Sequence, residues 1–146
     1  MDAITLWQPW ASLVIMRLKP IESRTHARFA SLKGCRFAIH AGKQFDFDAA
    51  EMICEVTHGN LPAALGATFA DGLRRLRSEL AWPKSVVLGT AFCLNHRPLG
   101  AADSAKALCD CVRTARWGLI LRDDIERFDP PIPCSGHQGI WEWERP

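Results

Sequence analysis

Three ionisable side chains fall close together in the segment from residue 19 to residue 24: Lys19, Glu22 and Arg24. Two cations and one anion at this spacing hold one another in the ionised state. Arginine offers a two-pronged donor to phosphate, and a carboxylate accepts from the amino group of a base or acts as a general base. The group therefore predicts a phosphate- or nucleotide-binding site. The alternative is an ion pair on a strand face without a ligand.

Two tryptophans flank the dipeptide Gln8-Pro9. An aromatic ring stacks on a base, and an amide beside the ring can bind the edge of that base. Tryptophan also buries a large area in protein cores. We therefore expect Trp10 to pack in the core, and Trp7 or Gln8 to lie nearer to the ligand.

Four further polar residues are candidates for ligand binding because of where they stand in the chain. His40 and Lys43 come at the end of an apolar, β-rich segment, and Ser135 and Gln138 lie in a glycine-containing loop. Glycines let the backbone approach a ligand closely. The alternatives are a histidine satisfied within the core and a plain turn before the last strand.

No set of metal ligands is apparent in the sequence. The six cysteines include no CxxC pair, and the one close pair, Cys109 and Cys111, lacks further ligands at the usual spacing. We predict reduced, mostly buried thiols, no metal and no cofactor.

The elements that must position these residues are short. Strands are predicted at 3–6, 21–25, 35–41, 85–94, 117–121 and 140–143. Helices are predicted at 10–16, from a capping box at 48–51 to about 58–60, and within 61–83, whereas 99–115 is helical or irregular and 130–133 is a loop. Without regular βαβ alternation, this order favours an α+β fold: a small mixed or antiparallel barrel of about 5–6 strands with about 2–4 peripheral helices.

The length and net charge of the chain limit its domain number and the ways in which it could bind nucleic acid. The chain of 146 residues fits one domain, residues 1–146, and its formal net charge of +2 is too small to coat nucleic acid by charge alone. Any nucleic acid is therefore expected in a local site. The N-terminus lacks a basic leader and no apolar run approaches a membrane span, so we expect a cytoplasmic protein without membrane contact.

The motifs resemble those of the ASCH family, the domain named after the activating signal cointegrator. The family pattern has a Gln-Pro-Trp-Ala segment, a Gly-x-Lys-x-x-Glu-x-Arg segment, an Ile-His-Ala strand end, a Trp-led strand and a Gly-x-Gln-Gly ending. The matching segments here are residues 6–14, 17–24, 39–43, 117–121 and 131–141. Arg17 stands where the family has glycine.

The resemblance implies a PUA-like β-barrel with a cleft, a fold associated with RNA or other nucleic-acid binding. Some relatives are amidohydrolases that deacylate modified cytidine, and others are ribonucleases. In the amidohydrolases a lysine is followed three residues later by a nucleophilic threonine. Lys19 matches that lysine, but Glu22 occupies the threonine position. A carboxylate is a poor substitute for an alkoxide in acyl transfer.

We therefore expect a domain that binds RNA, another nucleic acid or a nucleotide in a cleft containing Lys19, Glu22 and Arg24. The first alternative is a small hydrolase with Lys19 and Glu22 as catalytic residues, a ribonuclease ahead of an acylated-nucleobase amidohydrolase. The second is a protein-interaction module. The oligomeric state is left open.

Overall fold

The computed structural model describes residues 1–146 as an α+β fold of seven strands and four α-helices. The strands are β1 (Asp2–Gln8), β2 (Ile21–Arg24), β3 (Arg36–Phe45), β4 (Val86–Pro98), β5 (Trp117–Leu121), β6 (Glu126–Pro133) and β7 (Ile140–Glu142). The helices are α1 (Trp10–Ile15), α2 (Ala49–Val56), α3 (Phe69–Arg77) and α4 (Ser104–Ala107). Four short 3-10 turns cover Ala30–Leu32, Ala63–Leu65, Glu79–Ala81 and Ala101–Asp103.

The strands form one mixed sheet in the order β2-β5-β4-β3-β1-β7, with β6 paired to β4 beside this path. Only β1 and β3 run parallel. The predicted α+β class is confirmed, and the helix count falls in the predicted range. The backbone ladder is open, because β2 and β7 end it on opposite sides without pairing to each other.

The additional strand, β6, is the main difference from the sequence prediction. Residues 130–133 were predicted to be a loop, but they end β6, where Ile132 pairs with Val87 and Pro133 with Val86. Prolines are tolerated in a strand that pairs on one side only, since they cannot donate to a ladder. Gly89 also permits this pairing, because a Cβ there would collide with the Glu126 carbonyl oxygen.

Two helix predictions need correction. The predicted capping box at the start of α2 does not form: the Asp48 side chain makes no cap, and Asp46 accepts the Asp48 N–H instead at 3.0 Å. The helical pattern over 61–83 is divided into α3 and two 3-10 turns, because Ser78 is extended. As a result Leu80 is 93% exposed.

Helix α1 divides the core into two parts. Its Val14 packs with Phe37 and Ile39 of the sheet in the largest cluster, and its Leu13 packs with Ile53 of α2 in a second cluster. A helix buried on both sides in this way is fixed firmly against the sheet, and the residues that flank it are held in place. No helix in the structure has the length and apolar character to cross a membrane.

The turn after α1 gives a stability prediction. Arg17 has a left-handed φ of 62°, which is strained for any residue but glycine. Its side chain makes only an ion pair with Asp123 (3.7 Å) and a long hydrogen bond to the Ile125 carbonyl (3.4 Å). Arg17→Gly and Arg17→Ala both remove these contacts, but only glycine relieves the strain. Arg17→Gly is expected to be more stable than Arg17→Ala by about 1 kcal/mol in urea unfolding. Equal free energies of unfolding for the two variants would contradict the interpretation that the backbone at residue 17 is strained.

Candidate functional site

A cavity of about 190 Å³ lies between β1, β2, α1 and α4. Its polar lining consists of Lys19, Glu22, Ser23, Arg24, Asp46 and Arg116. Its apolar walls are Leu6, Trp7, Trp10, Met52, Ala107 and Cys109. Three cations thus face two carboxylates, and aromatic rings stand on one side.

The structure brings the predicted charged group together at this cavity. The Lys19 Nζ lies 3.3 Å from Glu22 Oε2, and the Arg24 Nε lies 3.3 Å from Glu22 Oε1. Glu22 and Arg24 share a face because they are two residues apart on β2. Lys19 and Glu22 are almost completely buried, at 3% and 4% exposure. The cluster is therefore an internal ionic chain rather than a surface ion pair.

Lys19 is committed to the protein. Its ammonium donates to the carbonyl oxygens of Ile21 (2.7 Å) and Ala107 (2.8 Å), and its remaining face meets Glu22. Of its three N–H groups, the two carbonyls accept two, and the charge pairs with Glu22 without an aligned hydrogen bond. Lys19 ties the start of β2 to the end of α4 and holds the Glu22 carboxylate in place.

Three buried polar side-chain atoms have no hydrogen-bond partner: Glu22 Oε2, Arg24 Nε and Arg116 Nε. The ion-pair distances at Glu22 and Arg24 are close to hydrogen-bond length, but the atoms are not aligned for hydrogen bonding. All three residues line the same cavity. Buried polar atoms are nearly always paired, so unpaired donors and an acceptor around one cavity indicate a place for a polar ligand.

The two tryptophans both line the cavity but differ in freedom. Trp10 is partly buried and donates its indole N–H to Asp46 Oδ2 at 2.9 Å, which fixes it as a wall. Trp7 is 51% exposed and makes no side-chain hydrogen bond. Trp7 thus presents a large apolar ring where the cavity meets solvent.

Sequence reasoning missed several lining residues. Arg116 comes just before the Trp-led strand β5 and reaches the cavity because β5 pairs with β2. Ser23 and Cys109 also line it, with Ser23 Oγ 3.1 Å from Cys109 Sγ. No local pattern marks these residues. The signal that could have found Arg116 was the Trp-led strand. A predicted pairing of that strand with residues 21–24 would have placed Arg116 near Glu22 and Arg24.

Gln8 was predicted as a ligand-binding residue, and the structure does not bring it to the cavity. Its side chain is fully buried, and its amide nitrogen donates to Ser12 Oγ (2.8 Å) and the Pro83 carbonyl (2.6 Å). Its amide oxygen accepts the Ser12 N–H at 3.1 Å. These bonds occupy the amide and fix the start of α1 against residue 83, so Gln8 has a structural role.

His40 likewise does not line the cavity. It is 2% exposed, with Nε2 at 3.0 Å from the Cys134 carbonyl and Nδ1 at 3.2 Å from Thr5 Oγ1. Thr5 Oγ1 in turn donates to the His137 carbonyl at 2.7 Å. His40 and Thr5 therefore fasten the loop before β7 onto the sheet.

The other predicted residues are exposed and lie outside the cavity. Lys43 and Ser135 carry no contact to it, whereas Gln138 lines a separate groove beside Arg24. Of the predicted residues, the cavity therefore holds Trp7, Lys19, Glu22 and Arg24, the groove holds Arg24 and Gln138, and the others line neither space.

Comparison with known proteins supports the fold. No family model and no curated protein sequence matches the chain. Among solved structures, a serine-to-alanine mutant of ZmASCH from Zymomonas mobilis matches with a TM-score of 0.54 and 14% identity, covering 99% of this chain and 87% of that chain. At this identity the likeness shows the fold alone. This likeness in fold confirms the resemblance to the ASCH family that the sequence motifs indicated.

The placement of His40 gives a pH prediction. Burial is the main cause that lowers the pKa of His40 and His137 lowers it further, while the hydrogen bond to Cys134 opposes the shift. The unfolded chain then binds the proton more readily than the folded protein. Stability should therefore fall as pH drops through about 6.5 and level off below the folded-state pKa.

The test compares the free energy of unfolding between about pH 8 and pH 5 for wild type and His40→Gln. Burial also lowers the pKa of His96, so the wild-type curve contains both contributions. We expect a shallower loss of stability on acidification for His40→Gln. Identical slopes for the two proteins would show that His40 does not titrate differently on folding.

Proposed function

We propose that this domain binds single-stranded RNA or its nucleotides, with one base held in the cavity. The observation that carries the proposal is the set of unpartnered buried atoms on Glu22, Arg24 and Arg116 around a single cavity. A ligand that satisfies them must offer hydrogen-bond acceptors to two guanidinium groups and a donor to one carboxylate. The edge of a nucleobase with a carbonyl oxygen and an amino group offers both.

The volume of the cavity fits a single aromatic ring of a ligand. A protein cavity of about 150 Å³ is sufficient for a benzene molecule. The cavity here, at about 190 Å³, has room for a single six-membered ring. A pyrimidine such as cytosine matches this volume and presents an amino group to Glu22 and a carbonyl oxygen to the arginines.

Trp7 supports the proposal from the solvent side. A half-exposed ring at the entrance can stack on a base that enters the cavity or on the next base of a strand. Such stacking tolerates different sequences, because every base has a π-face. With a net charge of only +2, binding then depends on this one local site rather than on a broad basic surface.

The contacts favour binding over covalent catalysis. The hydroxyl in the cavity belongs to Ser23, and its neighbour is the Cys109 thiol at 3.1 Å rather than a base that would activate it. A nucleophile in acyl transfer needs an adjacent general base. Glu22 lies between two cations, which suits a fixed acceptor. In this proposal Arg24 and Arg116 contact the ligand, and Lys19 positions Glu22.

The first test concerns stacking. Trp7→Ala should weaken the affinity for a single-stranded RNA of about eight nucleotides by about tenfold, since loss of one stacked base costs about 1–3 kcal/mol. Trp7→Phe, which keeps an aromatic face, should retain most of the affinity. The measurement is fluorescence anisotropy with labelled RNA.

Phe69 is the matched control for Trp7, because it is 53% exposed on α3 and lines neither the cavity nor the groove. Phe69→Ala should bind RNA like wild type. An equal loss in Phe69→Ala and Trp7→Ala would mean that RNA binds to exposed aromatic rings in general, and the cavity would not be the site.

The second test concerns the unpaired guanidinium. Arg116→Gln removes a donor that makes no ion pair in the protein, so the fold should be retained. A hydrogen bond to a charged group contributes about 1.5–3 kcal/mol, so the affinity for RNA and for mononucleotides should fall by about tenfold or more. Arg113→Gln, at an exposed position outside the cavity, is the control. Unchanged affinity in Arg116→Gln would contradict the proposed role.

A further inference from the structure

A groove of about 510 Å³ lies directly beside the cavity, across the open side of the sheet between the end of β2 and β7. Arg24 lines both spaces and therefore lies where they adjoin. The groove is also lined by His26, Arg28, Phe29 and Gln138. A chain that leaves the cavity past Arg24 would enter this groove.

The groove is basic and contains no carboxylate among its lining residues. Arg24 contributes one cation and Arg28 a second, and Arg28 is exposed and makes no ion pair. His26 and the Gln138 amide add polar groups that can donate hydrogen bonds. Such a surface favours an anion that accepts several hydrogen bonds.

Two of these side chains, Arg24 and His26, pack against the buried ring of Phe29. The Phe29 ring is 4% exposed, the Arg24 guanidinium carbon lies 4.9 Å above it, and the His26 ring meets its edge at 5.3 Å. On the opposite side Thr5 and His40 fasten the loop that carries Gln138. Both sides of the groove are therefore fixed before a ligand arrives, which lowers the entropic cost of binding.

We propose that this groove binds the phosphodiester backbone of the strand whose base fills the cavity, so that a single-stranded nucleic acid chain binds more tightly than a free nucleotide. This inference rests on the proposed function. Arg24 then touches base and backbone at once, and Arg28 and His26 contact the phosphates that follow. Binding by several adjacent phosphates predicts an affinity that depends on salt.

The experiment uses His26→Ala/Arg28→Ser as the groove variant, Trp7→Ala as the cavity variant and Arg74→Ser as a charge control on the outer helix α3. Arg74 lies outside both spaces. Each protein is titrated with single-stranded RNA of about eight nucleotides and with ribonucleoside monophosphates, at several salt concentrations. Circular dichroism and the thermal midpoint check that each variant is folded.

The groove variant should bind RNA about tenfold more weakly, and the slope of log K against log salt should become shallower by about 0.7 for each phosphate that the protein no longer neutralises. Its affinity for monophosphates should equal that of wild type, and Arg74→Ser should match wild type throughout. The cavity variant should lose affinity for both ligands.

Two results would overturn the inference. If the groove variant keeps the wild-type RNA affinity and salt slope, the backbone does not lie in the groove, while cavity binding stands. If it loses monophosphate affinity as strongly as RNA affinity, the groove is not a separate backbone site. RNA binding lost in the groove variant but intact in Trp7→Ala and Arg116→Gln would instead support the groove and contradict the base cavity.

Discussion

Glu22 carries its carboxylate inside the protein, where an isolated charge would cost several kcal/mol of desolvation. Lys19 on one side and Arg24 on the other offset that cost. The same cations reach further into the fold: Lys19 donates to the end of α4, and Arg24 reaches the Thr5 carbonyl of β1 at 3.4 Å. Side chains thereby connect β2 to β1, which the backbone ladder leaves unpaired.

This arrangement keeps the cavity open. A continuous backbone ladder between β2 and β1 would satisfy its own hydrogen bonds and leave little for a ligand. The ionic chain instead spans the gap with long side chains and leaves Glu22 Oε2, Arg24 Nε and Arg116 Nε without partners. Unsatisfied buried groups reduce stability, and proteins retain them mostly where function requires them.

The sequence allowed good prediction of the elements whose signal is local. Strand β5 was predicted at 117–121 as observed, since its apolar run is bounded by polar residues, and α1 was predicted to within one residue. The residues 130–133 were misassigned because their strand character depends on pairing with β4 and on the space above Gly89. Long-range pairing of this kind leaves no trace in a short window.

The candidate site, too, was predictable only where its members are neighbours in the chain. Lys19, Glu22 and Arg24 were grouped from their spacing, whereas the hydrogen bond from Gln8 to the carbonyl of Pro83 joins residues 75 positions apart and leaves no local signal. Arg116 was missed because it reaches the cavity only through the pairing of β5 with β2, which the local sequence does not show.

Glu22 is the anion that Lys19 and Arg24 share, and its charge explains where the two cations lie. A threonine at this position would leave Lys19 and Arg24 without their common anion, and two nearby cations in a buried place repel each other. With Glu22 present, Lys19 is turned inward to the carbonyls of Ile21 and Ala107 and becomes part of the framework. Arg24 is left to face both the cavity and the groove. The buried donors left without a partner at the cavity thus belong to arginines and not to the lysine. Their planar donors suit the fixed geometry of a base or phosphate better than a point charge does.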